Sequence, residues 1–141
     1  MVDVVDRATR SRMMSGIRGR DTKPELVVRK YLHASGLRFR LAPKQLSGKP
    51  DIVLSRYRTA IFVHGCFWHR HPNCKYATVP STNTSFWMEK FAGNVLRDRR
   101  VQRELREEGW QVLVVWECKC SVRKLEALRM KVLKNLSEDE N

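Results

Sequence analysis

Ala60-Ile-Phe-Val-His-Gly-Cys-Phe-Trp-His-Arg-His-Pro-Asn-Cys74 decides the fold, because a short apolar run ends abruptly in a stretch crowded with reactive side chains. Residues 63–74 hold five of the chain's eight Cys and His residues. Ala60–Val63 reads as a buried strand and the rest as a site at its end. His64 and His69 are left for chemistry, while Cys66, His71 and Cys74 supply three ligands of a zinc tetrahedron. The fourth has to come from elsewhere in the chain. Cys118 and Cys120, which follow the strand-like run 112–117, are the candidates, so a metal would tie the loop to a distant strand end. The plain alternative is four unrelated thiols in a reduced cytosolic protein. Disulfides are the weaker reading, since the chain opens with the charged Met-Val-Asp-Val-Val-Asp-Arg rather than a secretory signal.

Working outward, residues from Thr84 or Ser85 to Glu108 carry a helical pattern, with Phe86, Phe91, Val95 and Leu105 at core spacing and Gly109 as the stop. A strand over 111–117 follows at once. Strand, long helix, strand is a crossover unit, which predicts that 60–63 and 111–117 are parallel neighbours with a right-handed connection. Upstream, Asp51–Leu54 pairs with Ala60–Val63 through the polar turn Ser55–Arg58, and Phe39–Leu41 reads as a further strand. Thr22 caps a helix with Pro24 in its first turn and Glu25 at the capping-box position, running to about Ser35 before Gly36. Leu26, Val27, Tyr31 and Leu32 are its expected buried face. A closing amphipathic helix is predicted over Val122–Leu136, on Val122, Leu125, Leu128, Val132 and Leu136. The expected architecture is a mixed α/β sheet with a hairpin and flanking helices.

Composition points to the partner. With 28 Lys and Arg against 15 Asp and Glu, the formal charge of +13 favours a polyanion such as nucleic acid. Arg7, Arg10, Arg12, Arg18 and Arg20 make residues 1–20 a basic arm around a short helix at Ser11–Ile17. Residues 137–141 read as a frayed acidic tail. A hydrophobic content of 42% over 141 residues suits one domain with one core. No apolar run is long enough to span a membrane. Charge alone does not make an enzyme, because a non-catalytic DNA-binding module would share it.

The case for catalysis rests on Gly48-Lys-Pro-Asp51, where a turn delivers an acid to the start of the strand that pairs with the one leading to His64. Cleaving a phosphodiester needs a carboxylate to hold a hard divalent ion, a group to activate water and charge stabilisation at the phosphate. Asp51 can hold the ion with help from the Val63 carbonyl, and His64 and His69 can move protons near neutral pH. Taken singly, Asp51 is more often a strand cap and each histidine a surface group. Their convergence raises the catalytic reading.

Ala8-Thr-Arg-Ser11, Arg20-Asp-Thr22, Lys49-Pro-Asp51, Ile61-Phe-Val-His-Gly-Cys-Phe-Trp-His69, Phe86-Trp87, Asn94-Val95, Arg97-Asp-Arg-Arg100, Gly109-Trp110 and Val115-Trp-Glu-Cys118 together resemble the very short patch repair (Vsr) endonucleases. The resemblance runs from residue 3 to about 120. It implies a restriction-endonuclease-like fold over residues 21–136 and a magnesium-dependent nick beside the thymine of a T:G mismatch left by deamination of 5-methylcytosine. By the same resemblance Asp51 is the metal-binding acid, His64 and His69 the catalytic histidines, Glu25 and Asp98 further active-site acids, and Cys66, His71, Cys74 and Cys118 the zinc ligands. Mismatch-repair partners and a cytoplasmic, nucleoid-associated bacterial setting come with it, and a monomer is the expectation for an asymmetric lesion. Two departures stand out: Val63, where some members carry Thr, and a His71-to-Cys74 spacing longer by one residue. Cys120 is an extra, unassigned thiol that could compete with Cys118 for the metal.

Phe67, Trp68 and Trp87 lie among polar, site-forming residues, where a DNA stack needs them more than a core does. With the basic arm they suggest a wedge. The resemblance implies intercalation by these aromatics from one side and by Met14 from the other.

Overall fold

The computed structural model of the chain describes residues 22–136. The basic arm over 1–20 with its Ser11–Ile17 helix, Arg10, Arg12 and Met14, and the acidic tail over 137–141, therefore lie outside the described residues. Helix α1 (Lys23–Ala34) starts as expected, with the Thr22 hydroxyl accepting from the Glu25 amide at 3.4 Å and Pro24 in the first turn. Gly36, at φ +84°, ends it in a conformation that suits a residue without Cβ. The buried face is the expected one only at Leu32 and, in part, Tyr31. Leu26 and Val27 are exposed, and Glu25, Val28 and Leu32 point inward, with Tyr31 packed at the margin. Glu25, a buried carboxylate held by Arg29 one turn on at 2.9 Å, shares the inward face with Val28 and Leu32.

The strands follow as β1 (Arg40–Leu41), β2 (Ile52–Leu54) and β3 (Thr59–His64). Chain reversal between β2 and β3 uses a 3-10 turn, Ser55–Tyr57, closed by Arg58 at φ +46°. The hairpin is antiparallel, with Ile52 opposite Ile61 and Leu54 opposite Thr59. Helix α2 (Thr84–Glu107) then crosses over to β4 (Gln111–Trp116), which runs parallel to β3 from Thr59↔Gln111 to His64↔Trp116. Gly109, at φ +92°, makes the reversal into β4. The sheet order is β1-β2-β3-β4, a mixed sheet as the sequence predicts.

Helix α3 (Val122–Lys134) closes the chain, its first turn capped by the Ser121 hydroxyl. Leu125, Leu128 and Val132 are buried as expected, whereas Val122, in the first turn, and Leu136, beyond the last, face solvent. One core sheathes the sheet with α1 and α3 through Val28, Leu32, Ile52, Ile61, Leu125 and Val132. The other joins Ala60 and Phe62 to Val101 and Leu105 of α2. Phe86, expected at a core position, is 59% exposed; the buried residues of α2 are Phe91, Val101 and Leu105, and in its first turn Trp87 rather than Phe86 packs inward, against Phe67 and Phe91. The layering puts the ends of β3 and β4 and the middle of α2 around one hollow.

Candidate active site and metal centre

Asp51 lies one residue beyond the last hairpin pair, where its Oδ2 accepts from the Val63 amide at 2.7 Å. A side chain thus replaces a ladder carbonyl at the open end of the hairpin. Burial pushes the Asp51 carboxyl up to about 6, the Val63 N–H opposes the rise, and the neighbouring Glu25 adds to it. Two acids lining one hollow, each within reach of the other's charge, are the donor type that a hard cation takes.

His64 ends β3, and its burial, with His69 beside it, lowers its pKa to about 4, so the ring is neutral at pH 7. It stacks on His69 with ring centres 3.8 Å apart and planes within 5°. The His69 Nδ1 lies 2.6 Å from Oδ2 of Asp98 on α2. A carboxylate at Nδ1 fixes the proton there and leaves the Nε2 lone pair free to accept one, the arrangement of a carboxylate-backed general base. Ligand atoms of His64, His69 and Asp98 come within 4.8 Å of one another. Ring nitrogens bind metals in the ring plane, however, and two parallel stacked rings cannot both aim at one ion. The stack therefore suits proton handling better than metal binding.

All five acids and histidines named from the sequence, Glu25, Asp51, His64, His69 and Asp98, line one cleft of ≈ 880 Å³, with Val63, Phe67 and Trp68 in its wall. Lys23, Lys44, Lys49 and Arg97 line it too, giving the hollow a cationic margin that only the overall charge had announced. Two more residues were quoted in the resemblance without a role. Asn94 donates to the Trp68 carbonyl at 3.1 Å one helical turn before Asp98, so α2 grips successive residues of the loop; the i, i+4 spacing of two polar residues was the available signal. Glu117 accepts from the Cys66 amide at 2.9 Å, and nothing in its spacing distinguishes it from a solvated strand-end acid.

Behind the cleft, Cys66, His71, Cys74 and Cys118 bring their ligand atoms within 4.8 Å of one another. His71 Nδ1 is 3.5 Å from the Cys66 sulfur and 3.3 Å from that of Cys118, and the Cys74 and Cys118 sulfurs are 3.9 Å apart. Zinc at about 2.3 Å from sulfur and about 2.05 Å from nitrogen gives tetrahedral edges of about 3.6 and 3.8 Å. The residues fit a tetrahedral ion. Burial holds the Cys66 thiol up at about 12, so the pocket favours thiolate only with a cation inside it. Trp116 stacks on His71 at 4.3 Å and fixes its ring. Cys120 turns away from this group, its thiol directed at the Trp116 carbonyl at 3.6 Å.

Beside the cleft Phe67 meets Phe91 edge-on at 5.0 Å and Trp68 at 5.1 Å, and Trp87 stands 5.6 Å from Trp68. Arg70 lies 4.0 Å over the Phe91 ring and donates to the carbonyls of Phe67, Ala77 and Thr78. Phe67, Trp68 and Trp87 are half-buried. Met14, Arg10 and Arg12 lie outside the described residues.

Clustered acids, an imidazole paired with a carboxylate and a cationic margin are the kinds of group that phosphodiester hydrolysis uses, which makes a nuclease the class to look for. Comparison with known proteins narrows the class. The family model described as DNA mismatch endonuclease Vsr matches residues 2–76. The chain is 51% identical over 118 residues to "DNA mismatch endonuclease Vsr" of Escherichia coli strain K12, covering 84% of this chain and 75% of that protein. It is 47% identical over 118 residues to "Type II nicking enzyme V.NmeAIP" of Neisseria meningitidis, with 84% of each covered. "Type II nicking enzyme V.XorIIP" of Xanthomonas oryzae pv. oryzae shares 43% over 121 residues, 86% of this chain and 88% of that one. The chain belongs to the DNA mismatch endonuclease Vsr family.

Proposed function

We propose that this strand-nicking endonuclease acts with magnesium on double-stranded DNA beside the thymine of a T:G mismatch, the product of 5-methylcytosine deamination, and so initiates very short patch repair. The observation that carries the reading is the convergence of Asp51, Glu25, His64 and the Asp98-backed His69 on one cationic cleft flanked by half-buried aromatics. A pure binding module has no use for a desolvated acid pair or for a polarised imidazole.

Magnesium fits the site by its donors: Asp51 and the Val63 carbonyl would hold it, with Glu25 as the second acid nearby. When bound, it supplies Lewis-acid stabilisation of the phosphate and the leaving oxyanion. His69 accepts a proton from the attacking water at Nε2, and Asp98 keeps its other nitrogen protonated and stabilises the imidazolium that results. His64, neutral and stacked on His69, contacts the phosphate or passes a proton to the leaving group. Lys23, Lys44, Lys49 and Arg97 draw the backbone in. Phe67, Trp68 and Trp87 press into the stack, where unstacking costs least at a mismatched pair.

Cys66, His71, Cys74 and Cys118 hold a structural zinc, since four protein ligands leave no position for substrate. Residues 21–136 form a single restriction-endonuclease-like domain, with the arm over 1–20 adding phosphate contacts. An asymmetric lesion suits a monomer, working in the bacterial cytoplasm at the nucleoid beside mismatch-repair proteins. Purified protein incubated with T:G, fully paired and methylated duplexes, with and without Mg²⁺, tests the reading. It requires one nick, in the thymine strand of the T:G duplex, with Mg²⁺ only. Cutting of the paired duplex at the same rate would make this a site-specific nuclease instead, and binding without cutting a recognition module.

A further inference from the structure

The turn that carries His64, Cys66 and His69 has a single root at Gly65. The His69 amide bonds to the Gly65 carbonyl at 3.1 Å and the His71 amide to that of Cys66 at 3.0 Å, so histidines and metal ligands hang from the same two residues. Glu117, the first residue after β4, holds both sides of that root. Its amide donates to the His64 carbonyl at 3.0 Å, extending the parallel ladder one step past the His64↔Trp116 pair. Its carboxylate accepts from the Cys66 amide at 2.9 Å, where the chain has already left the sheet and no backbone acceptor follows. Cys66 itself is fully buried. Glu117 also lines the cleft, and its neighbour in sequence is Cys118 of the metal centre.

We propose that Glu117 is a positioning residue for the nicking reaction: its carboxylate fixes the Gly65–Cys66 root and through it the angle at which the stacked His64 and His69 face the cleft. This rests on the reading of these two histidines as the proton-handling pair. Acceptor geometry, not charge, is what the role needs. A ladder ends at His64, a buried amide needs a partner, and one side-chain oxygen supplies it. The grip does not depend on Gly65 lacking a side chain, since a Cβ there would meet the Glu117 carboxylate only at an ordinary 3.9 Å.

The distinction is testable because glutamine keeps the oxygen and removes the charge. In the full-length, zinc-loaded protein, Glu117→Gln is expected to keep kcat within about threefold of wild type, while Glu117→Ala lowers kcat by at least about tenfold with KM within about twofold. Both variants are expected to retain their zinc by elemental analysis. In the proton NMR spectrum the ring resonances of His64 and His69 should move in Glu117→Ala and stay in Glu117→Gln, a readout that holds even if these histidines prove not to be catalytic. Their catalytic role is checked separately by nicking with His64→Ala and His69→Ala. Glutamine as inactive as alanine would overturn the proposal in favour of a charged, cation-binding or catalytic role. Full activity with unmoved histidine resonances in Glu117→Ala, or loss of zinc from it, would overturn it as well.

Discussion

Asp51→Asn should make the protein inactive and more stable at once. In the folded chain burial and Glu25 raise the Asp51 carboxyl from 3.8 to about 6. A raised acid binds its proton more tightly folded than unfolded, so the stability it contributes is full below the unfolded value and is lost as pH rises towards about 6. At pH 7 the ionised carboxylate is a cost. A shift of roughly two units at about 1.4 kcal/mol each sets a ceiling of about 3 kcal/mol, and partial exposure reduces this to about 2 kcal/mol. Asparagine keeps an oxygen for the Val63 amide and carries no charge. In a chain of this size about 2 kcal/mol corresponds to a rise in thermal midpoint of about 4 to 8 °C. Calorimetry in zinc-containing, magnesium-free buffer should show that rise near pH 7.5, and the gap should narrow as pH falls towards about 5. Added Mg²⁺ should raise the wild-type midpoint and leave the variant's unchanged. A variant that melts below wild type, or Mg²⁺ stabilising both alike, would refute the reasoning.

Cys66→Ser and Cys118→Ser should each lose bound zinc and destabilise the fold, while Cys120→Ser keeps its metal; elemental analysis with thermal melts decides, and zinc lost only from the Cys120 variant would reverse the choice of thiol. Asp98→Asn, which keeps a hydrogen bond to His69 but favours the wrong tautomer, should lower kcat by about 10² to 10⁴ with little change in duplex affinity, read from single-turnover nicking and equilibrium binding. Trp68→Ala should weaken T:G binding by roughly 1 to 3 kcal/mol, affect paired DNA less, and leave the zinc in place, as fluorescence titration of both duplexes would register. Equal losses on both duplexes would make Trp68 a general DNA contact.

Most of the frame was legible because local rules agree there. Thr22, Pro24 and Gly36 punctuate α1, Gly109 stops α2, and the strand–helix–strand run required β3 and β4 to be parallel, as their register shows. Helix faces were less legible. Leu26, Val27 and Phe86 were assigned inward by hydrophobicity, but α1 buries Glu25 with Val28 and Leu32, and α2 buries Phe91, Val101 and Leu105. Periodicity weighs apolar residues and cannot see a carboxylate that a site draws inside. The site divides the same way. Dense motifs gave His64, His69, Cys66, His71 and Cys74, and the hairpin gave Asp51. Glu25, Asp98 and the choice of Cys118 needed family resemblance, since a single acid or thiol has no spacing to identify it. Glu117 and Asn94 act through one hydrogen bond each to the backbone of another element, a contact that exists only once the sheet and α2 are in place.

The most direct test of the account pairs wild type with Asp51→Ala on one T:G duplex in Mg²⁺, measuring nicking on a denaturing gel and affinity by titration. The wild type is expected to nick the thymine strand once, and the variant not to nick while binding the duplex within about tenfold of wild type, because phosphate contacts carry most of the affinity. Mg²⁺-dependent nicking retained by Asp51→Ala would contradict it.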